Sequence, residues 1–328
     1  MSNISTTYLG LTLKSPVIVG SSGLTNKLEN IKIFERLGAG AVVLKSLFEE
    51  QIRMEIAQQI NADGSAQLYP EAFDYISQYS RDQQITKYLE LISQAKEQTS
   101  IPIIASVNCV SSLEWITYAR QMQESGADAL ELNVFVLPSD PGMTSQKNEK
   151  VYFDIINQVL SEVSIPVSIK ISYYFSSLAR TAVELSWTGI KGIVMFNRFY
   201  SPDIDIDNMK VISSNIFSNP EEITTSLRWV AMLSDRLHCD VCASTGVHDG
   251  SGLIKQLLAG AKAVQVVSGL YKNGFERITT MNNELKNWME MNDYTSTEQF
   301  IGKLAQKKDN NPAALERVQF MKYFAGIE

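Results

Sequence analysis

A motif that repeats four times along the chain constrains its fold more than any other feature of the sequence. Each copy ends a helical pattern on a glycine and continues at once as an apolar strand; the copies are residues 37–44, 125–132, 188–195 and 259–266. A glycine suits the left-handed position that ends a helix, and the next two residues can form a short loop. The repeat therefore predicts helices that alternate with parallel strands.

A second type of strand fills the gaps between these copies. Residues 100–106 and 164–170 both begin Ser-Ile-Pro, and a proline is tolerated as the first residue of a strand. Residues 238–244 fill the third gap without a proline, and residues 16–20 precede the first copy. Eight strands this apolar, each followed by a helix, predict a single (β/α)8 TIM barrel. An open doubly wound sheet is disfavoured because Gly20-Ser-Ser-Gly23 lacks the G-x-G-x-x-G fingerprint.

The segments outside the repeats complete this picture. They are predicted to form a short N-terminal hairpin at residues 8–13, a last barrel helix near 275–291, and extra C-terminal helices near 297–307 and 312–324. Two long excursions, residues 45–84 and 197–220, follow strands, so we expect them to lie on the face where such barrels hold their chemistry. Since no linker or shift in composition divides the chain, residues 1–328 are predicted to form one domain.

Composition excludes several classes of protein. The net charge of -7 and the absence of a basic run argue against a nucleic-acid surface. No stretch approaches the roughly 20 apolar residues of a membrane-spanning helix, and the N-terminus has no signal-peptide pattern. Three cysteines in 328 residues are typical of reduced thiols in a cytoplasmic protein.

Polar residues stand at the carboxyl end of every predicted strand. In a barrel these ends share one rim, so we expect the following residues to face each other there: Ser21, Ser22, Gly23, Lys45, Ser46, Asn108, Asn133, Lys170, Asn197, Ser244, Thr245, Gly246, Ser268 and Gly269. Loops after the seventh and eighth strands of such barrels commonly bind phosphate through backbone N–H groups. The two Ser- and Gly-containing loops fit that role, although Gly246 and Gly269 could serve only tight turns.

Two lysines at strand ends are less usual. Lys45 and Lys170 suit a Schiff-base mechanism, or a cation beside a flavin that stabilises the negative charge of its reduced form, or a side chain that reaches solvent. The three asparagines at the rim, Asn108, Asn133 and Asn197, offer amide donors and acceptors to a planar ligand, or serve in loop turns.

Other reactive or aromatic residues receive structural interpretations. Cys239 and Cys242 lie on one predicted strand with their side chains on opposite faces, so we expect no metal site there or elsewhere. His248 is interpreted as a surface histidine beside the presumed phosphate loop. The aromatic run at residues 173–175 is interpreted as packing at the entry to a helix.

Six stretches, taken in order, resemble the dihydroorotate dehydrogenase family, and are closest to its soluble class 1 members: residues 9–23, 45–46, 131–133, 170, 197 and 260–269. The resemblance covers essentially the whole barrel. It implies a homodimeric enzyme of pyrimidine biosynthesis that oxidises dihydroorotate, or a related planar ring, by hydride transfer to N5 of FMN. The electron acceptor is left open.

The resemblance also implies roles for individual residues. FMN would be held at the barrel top by Ser21, Ser22, Gly23, Lys45, Ser46, Asn133, Lys170, Ser244, Thr245, Gly246, Ser268 and Gly269. The substrate would face Asn108, Asn133 and Asn197. Lys170 would lie near the N1–C2 carbonyl region of the flavin, and Lys45 is the second lysine candidate for catalysis.

The chain departs from the family pattern directly after Asn133. The position of the catalytic Cys or Ser falls on Val136 or Leu137, and neither side chain can take a proton. Ser139, or Asp140, is the candidate replacement base if the longer loop folds back. Two alternatives therefore stay open, namely a lysine-dependent lyase or epimerase acting on a phosphorylated substrate, and a flavin-binding protein without catalytic activity.

Overall fold

The eight predicted strands form a closed parallel barrel in the computed structural model of this protein, which describes residues 2–48, 70–108, 112–134, 136–199, 201–307 and 313–316. The described strands, in chain order, are β1 Thr6–Tyr8, β2 Leu11–Leu13, β3 Val17–Val19, β4 Ala41–Val43, β5 Leu47–Phe48, β6 Ile103–Asn108, β7 Ala129–Asn133, β8 Val167–Ile171, β9 Gly192–Met195, β10 Ser201–Asp205, β11 Lys210–Ser214, β12 Asp240–Ser244 and β13 Ala263–Val266.

The ring of strands runs β3-β4-β6-β7-β8-β9-β12-β13 and returns to β3. It closes because β4 pairs with β6, with Val43 opposite Ile104, and because β13 pairs with β3, with Val266 opposite Val19. All pairings within this ring are parallel, so every strand leaves the barrel at the same rim. The prediction of a (β/α)8 barrel is confirmed.

Helices surround the barrel and separate consecutive strands. The described α-helices are α1 Leu28–Arg36, α2 Pro70–Gln98, α3 Ser112–Glu124, α4 Ser145–Leu160, α5 Leu178–Ser186, α6 Ile223–Leu233, α7 Gly250–Ala259, α8 Ser268–Asn273, α9 Arg277–Met291 and α10 Ala313–Glu316. Within the described ranges, none is both long and apolar enough to cross a membrane.

The four repeated glycines adopt the left-handed backbone conformation that the sequence predicts. Gly38, Gly126, Gly189 and Gly260 have φ angles of 89°, 95°, 103° and 114°. Residues with a β-carbon rarely adopt this left-handed conformation, so glycine ends each helix and lets the chain turn directly into a strand.

Two apolar cores hold the barrel together. The larger lies between the outer face of the strands and the helices, and the smaller fills the amino-terminal half of the barrel interior. The predicted hairpin, β1 with β2, closes this lower end, where Tyr8, Leu9 and Leu13 pack against interior residues such as Ile18. The apolar plug leaves the carboxyl-terminal half of the interior for polar side chains.

The excursion after β9 contains a second hairpin, β10 with β11, whose strands pair with Ile204 opposite Val211. These two side chains are 66% and 71% exposed, so the hairpin projects from the barrel without covering its own apolar face. Of the excursion predicted at residues 45–84, the stretch 49–69 lies outside the described residues.

The C-terminal region differs in part from the prediction. The last barrel helix, α9, is confirmed. The expected helix near residues 297–307 is a single 3-10 turn at Thr297–Gln299 followed by turns, and α10 begins the second expected helix. Residues 308–312 and 317–328 lie outside the described part of the chain.

Candidate active site

A chain of hydroxyl and amide groups joins the ends of four neighbouring strands at the rim. The Ser46 Oγ lies 3.1 Å from the Ser21 Oγ and 2.8 Å from the Ser106 Oγ, and the Asn133 Nδ2 donates to it at 3.2 Å. Ser21 follows β3, Ser46 follows β4, and Ser106 and Asn133 belong to β6 and β7. The strand ends predicted to converge on this side of the rim do so.

Asn133 is the most constrained of the three rim asparagines. It is 8% exposed, and its Oδ1 is buried and has no hydrogen-bond partner among the described residues. Asn108 donates its Nδ2 to the backbone oxygen of Asn133 at 2.6 Å, and Asn197 donates to the backbone oxygen of Lys170 at 3.4 Å. Because a buried amide oxygen is costly to leave unpaired, the Asn133 Oδ1 is suited to accept a hydrogen bond from a ligand.

Lys170 lies at the floor of the open half of the barrel. Its Nζ donates to Gln265 Oε1 at 2.7 Å and lies 3.8 Å from Glu131 Oε1. Glu131 is only 1% exposed, and burial raises the pKa of its carboxyl group against the opposing effects of the Lys170 ammonium and the Gln265 amide. The pair places a positive charge under the cavity and a buried carboxylate beneath it.

A cavity of about 470 Å³ rises from this floor toward the loops after β12 and β13. It is lined by Ser21, Lys170, Asn197, Arg198, Ile216, Phe217, Ser218, Ser244, Thr245, Gly246, Val247, Gln265, Val267, Ser268 and Tyr271. One end is therefore cationic, and the other is formed by the small residues that were predicted to bind phosphate.

The loop after β12 is closely fitted to its surroundings. Gly246 has a φ of 79°, and a β-carbon there would lie 2.1 Å from the backbone nitrogen of Ile223, at the start of α6. The preceding Thr245 also has a positive φ, 75°, and its hydroxyl donates to the backbone oxygen of Phe196 at 3.3 Å. Gly269 lies at the start of α8, where a β-carbon would be 3.3 Å from His248 Cα. These contacts bring the two predicted phosphate loops together.

The remaining predicted residues lie at the edges of this arrangement. Ser22 caps a short 3-10 helix, Gly23–Thr25, by accepting from the backbone N–H of Leu24 at 3.3 Å. Lys45 is half-buried directly after β4. Ser139 is exposed in the loop after β7, and the cavity is lined without it.

Val136 and Leu137 occupy the position expected for the family's catalytic base, and they differ in their surroundings. The backbone N–H of Val136 donates to Tyr152 Oη at 3.0 Å, while the Leu137 side chain is 55% exposed. The structure therefore brings most of the predicted ring together around one cavity, and leaves the candidate base outside it.

A sequence model of the dihydroorotate dehydrogenase family matches residues 79–289, which is more than half of the chain. The chain belongs to the dihydroorotate dehydrogenase family. Enzymes of this family are FMN-dependent and act on the CH–CH bond of dihydroorotate, so the class of enzyme and the cofactor follow from membership.

Individual relatives agree with this assignment along their whole length. The dihydroorotate dehydrogenase B (NAD(+)) catalytic subunit of Thermoplasma volcanium is 28% identical over 324 residues, which cover 92% of this chain and 98% of the relative. Proteins with the same name from Thermoplasma acidophilum and Pyrococcus abyssi are 24% and 27% identical, over 316 and 307 residues. They cover 92% and 89% of this chain, and 99% and 96% of those relatives.

The residues present fit FMN. A buried ammonium at Lys170 could serve the polar edge of a flavin ring, and Asn133 Oδ1 is an acceptor without a partner among the residues that the structure describes. At the far end, Gly246 lines the cavity and packs so closely against the start of α6 that a β-carbon would lie 2.1 Å from Ile223 N. Flavin enzymes tune their cofactor through charges and hydrogen bonds of this kind near the ring.

The site residues that were not predicted from the sequence include Glu131, Gln265 and Arg198. Glu131 and Gln265 lie two residues after Ala129 and Ala263, which face the interior, so the two-residue period of β7 and β13 places them inside the barrel as well. That alternation was a usable signal. Arg198 lines the cavity with its guanidinium held by Glu222 at 3.0 Å and by the backbone oxygen of Ile216 at 3.0 Å. No sequence pattern indicates those partners.

A second cavity of about 370 Å³ adjoins the first and shares Asn197, Arg198, Ser244 and Thr245 with it. Its aromatic wall consists of Tyr173, Tyr174, Phe196 and Phe199. Tyr173 and Tyr174 are 41% and 40% exposed, so the interpretation of these aromatics as helix-entry packing is wrong for both. Phe175 alone of that run packs against the core.

His248 is likewise not a surface residue. It is 7% exposed, and its Nε2 lies 3.1 Å from the Ser218 Oγ. Burial lowers the pKa of the imidazole, and the nearby Lys272 ammonium lowers it further. The segment around Ser218 also accepts from Lys272 Nζ at 2.9 Å and donates to Ser268 Oγ at 3.0 Å. His248 therefore helps to fasten this segment along the cavity.

Proposed function

We propose that this protein is an FMN-dependent oxidoreductase that oxidises dihydroorotate, or a closely related planar ring, by hydride transfer to N5 of the flavin. The single observation that supports this most directly is the buried Lys170 ammonium at the floor of a cavity whose other end is built from the loops after β12 and β13, to which phosphate binding is assigned here. Family membership supplies the enzyme class, and the arrangement of the cavity supports the substrate type.

The proposed roles of the residues follow from their positions. FMN binding is assigned to Ser21, Ser22, Gly23, Lys45, Ser46, Asn133, Lys170, Ser244, Thr245, Gly246, Ser268 and Gly269. The flavin, when bound, supplies the acceptor for the hydride. The Lys170 ammonium stabilises the negative charge that develops on the ring during reduction. Asn108, Asn133 and Asn197 orient the substrate through amide groups, and Lys45 is the second cation at this rim.

The proton that leaves dihydroorotate together with the hydride needs a base. Ser139, or Asp140, is the proposed base, but Ser139 is exposed and lies in a loop that must fold inward to reach the cavity. The absence of a positioned base typically costs about 10²–10⁴-fold in rate. We therefore expect slow turnover of dihydroorotate, and a flavoprotein with a different substrate, or with no activity, is the second candidate.

The lyase or epimerase alternative is disfavoured by the contacts of Lys170. A Schiff-base lysine attacks as the neutral amine. Here the Nζ is already held by two partners: it donates to the amide oxygen Gln265 Oε1 at 2.7 Å and lies 3.8 Å from Glu131 Oε1, so it is not free to attack a carbonyl group.

An anaerobic visible spectrum of the purified protein, recorded before and after addition of dihydroorotate, tests the proposal. Flavin bands that bleach on addition would support it. Bands that persist would indicate a flavoprotein with another substrate, and a colourless protein that also fails to take up FMN would overturn it.

We propose that residues 1–328 form one FMN-binding domain, that the enzyme is a cytoplasmic homodimer, and that it binds neither nucleic acid nor membrane. The resemblance supports the dimer, and light scattering tests it. The electron acceptor is open; since the named relatives carry NAD(+) in their names, NAD+ is the first acceptor to test, followed by fumarate and oxygen.

A further inference from the structure

Three interior side chains from opposite sides of the barrel form one polar chain beneath the cavity. Gln265 reaches from β13 across the barrel. Its Oε1 accepts from Lys170 Nζ at 2.7 Å, and its Nε2 donates to Glu131 Oε2 at 2.5 Å. In the ring of eight strands, β13 is diametrically opposite β7, which carries Glu131. The contact therefore spans the full width of the barrel.

The chemistry of the three groups allows only one orientation of the central amide. A carboxylate can only accept hydrogen bonds and an ammonium can only donate them. Gln265 must then turn its NH2 group toward Glu131 and its oxygen toward Lys170. If the amide flipped, it would present N–H groups to the ammonium and an oxygen to the carboxylate.

In its ionised state, which the Lys170 ammonium and the Gln265 amide favour against the effect of burial on its pKa, the Glu131 carboxylate is also a negative charge close to the position proposed for the flavin. Glu131 is 1% exposed, its Oε1 has no hydrogen-bond partner in the described part of the chain, and that atom lies 3.8 Å from Lys170 Nζ. At this depth, charges interact more strongly than at the surface. Glu131 therefore offsets part of the positive potential that Lys170 directs into the cavity.

We propose that Glu131 and Gln265 are positioning residues for Lys170. Gln265 holds the ammonium under the cavity, and Glu131 fixes the orientation of Gln265 while it reduces the net positive charge under the flavin. This inference rests on the proposed function, because its consequence is a particular balance between the affinities for oxidised and reduced FMN. Glu131 is not among the residues that line the cavity, so it acts only through Gln265 and Lys170.

The two residues should shift that balance in opposite directions. Glu131→Gln removes the negative charge, so the anionic reduced flavin is bound more tightly relative to the oxidised form, and the midpoint potential rises. Gln265→Leu removes the group that holds Lys170, so the ammonium moves toward Glu131 Oε1 and away from the cavity, and the potential falls. We expect about a tenfold change in the affinity ratio in each case, which corresponds to about 30 mV for a two-electron couple.

The experiment measures the midpoint potential of bound FMN and its dissociation constant in the full-length wild type and variants. Ser168→Ala is the matched control, because Ser168 lies opposite Glu131 in the β7–β8 register, is buried, and donates its hydroxyl to the backbone oxygen of Leu130 at 3.1 Å. It perturbs the same layer of the barrel without altering charge. A general loss of packing would move all three variants alike.

The outcomes separate this inference from the proposed function. Opposite shifts for Glu131→Gln and Gln265→Leu, with Ser168→Ala unchanged, would establish the positioning role. Flavin bound at wild-type potential in both variants would overturn it and leave the proposed function standing, whereas a wild type that cannot bind FMN would overturn both. Should Glu131→Gln fail to fold, Gln265→Leu alone decides the matter, since its potential must lie below that of Ser168→Ala.

Discussion

Replacement of Gly246 by alanine tests whether the loop after β12 is built for close backbone approach. Gly246 has a φ of 79°, and Gly10, in the hairpin at the opposite end of the barrel, has a nearly equal φ of 77°. A β-carbon at Gly10 would meet nothing within 4 Å, whereas at Gly246 it would lie 2.1 Å from Ile223 N. Alanine at either position would have to adopt the same unfavourable left-handed conformation, but only at Gly246 would its β-carbon also clash with neighbouring backbone.

The expected magnitudes follow from these two contributions. A left-handed conformation costs an alanine about 1–2 kcal/mol, so Gly10→Ala should lose about that much unfolding free energy. At Gly246 the β-carbon falls more than 1 Å short of the 3.4 Å at which ordinary contact begins. Forced overpacking adds about 1–3 kcal/mol or more. We therefore expect Gly246→Ala to lose about 2–5 kcal/mol and to bind FMN more weakly.

Urea unfolding and FMN titration of both variants measure these effects. The reasoning predicts that FMN affinity is unchanged in Gly10→Ala, since that residue lies in the hairpin that closes the lower end of the barrel. Equal losses of stability in the two variants, together with equal FMN affinity, would refute the claim that the loop after β12 requires a bare backbone.

Three further predictions concern the reaction and the cavity. Lys170→Ala should abolish reduction of the flavin by substrate in stopped-flow traces, and full turnover in that variant would show that its assigned role is wrong. Val136→Ser should raise dihydroorotate turnover if the lost base explains slow catalysis, and an unchanged rate would remove that explanation. His248 has a lowered pKa in the folded state, so the unfolded chain takes up a proton first as the pH falls. Stability should therefore decline below the ordinary value of 6.5, and His248→Asn should flatten that decline in urea titrations at successive pH values.

The loop after β7 carries apolar residues at the position expected for the family's catalytic base. Val136 is anchored through its backbone by Tyr152, and the chain continues into an exposed loop that carries Ser139. Because a replacement base on that loop would act only after the loop moved, the rate of dihydroorotate oxidation reports on loop motion as well as on chemistry. Comparison of Val136→Ser with Ser139→Ala would separate the two contributions.

The wall of the second cavity joins the loops that follow β8 and β9. Tyr173 and Tyr174 belong to its wall rather than to a helix entry, and Arg198 stands between the two cavities with its charge held by Glu222. The sequence placed aromatics after β8 and a polar residue after β9, which is correct for each strand. It could not indicate that they would share a wall, because that depends on how the loops pack across the rim.

The sequence by itself determined the barrel and the composition of its rim. The helix-ending glycines, such as Gly38 and Gly260, encode a local backbone requirement, and the apolar runs encode burial on both faces of each strand. Once eight parallel strands close, their polar ends must meet, as Ser46 and Asn133 do. Only the tertiary structure decided that Gln265 reaches Lys170 and Glu131, and that His248 is buried against Ser218. Those contacts join residues far apart in the chain, and they depend on the stagger of the strands and on loop packing, which no local pattern of residues records.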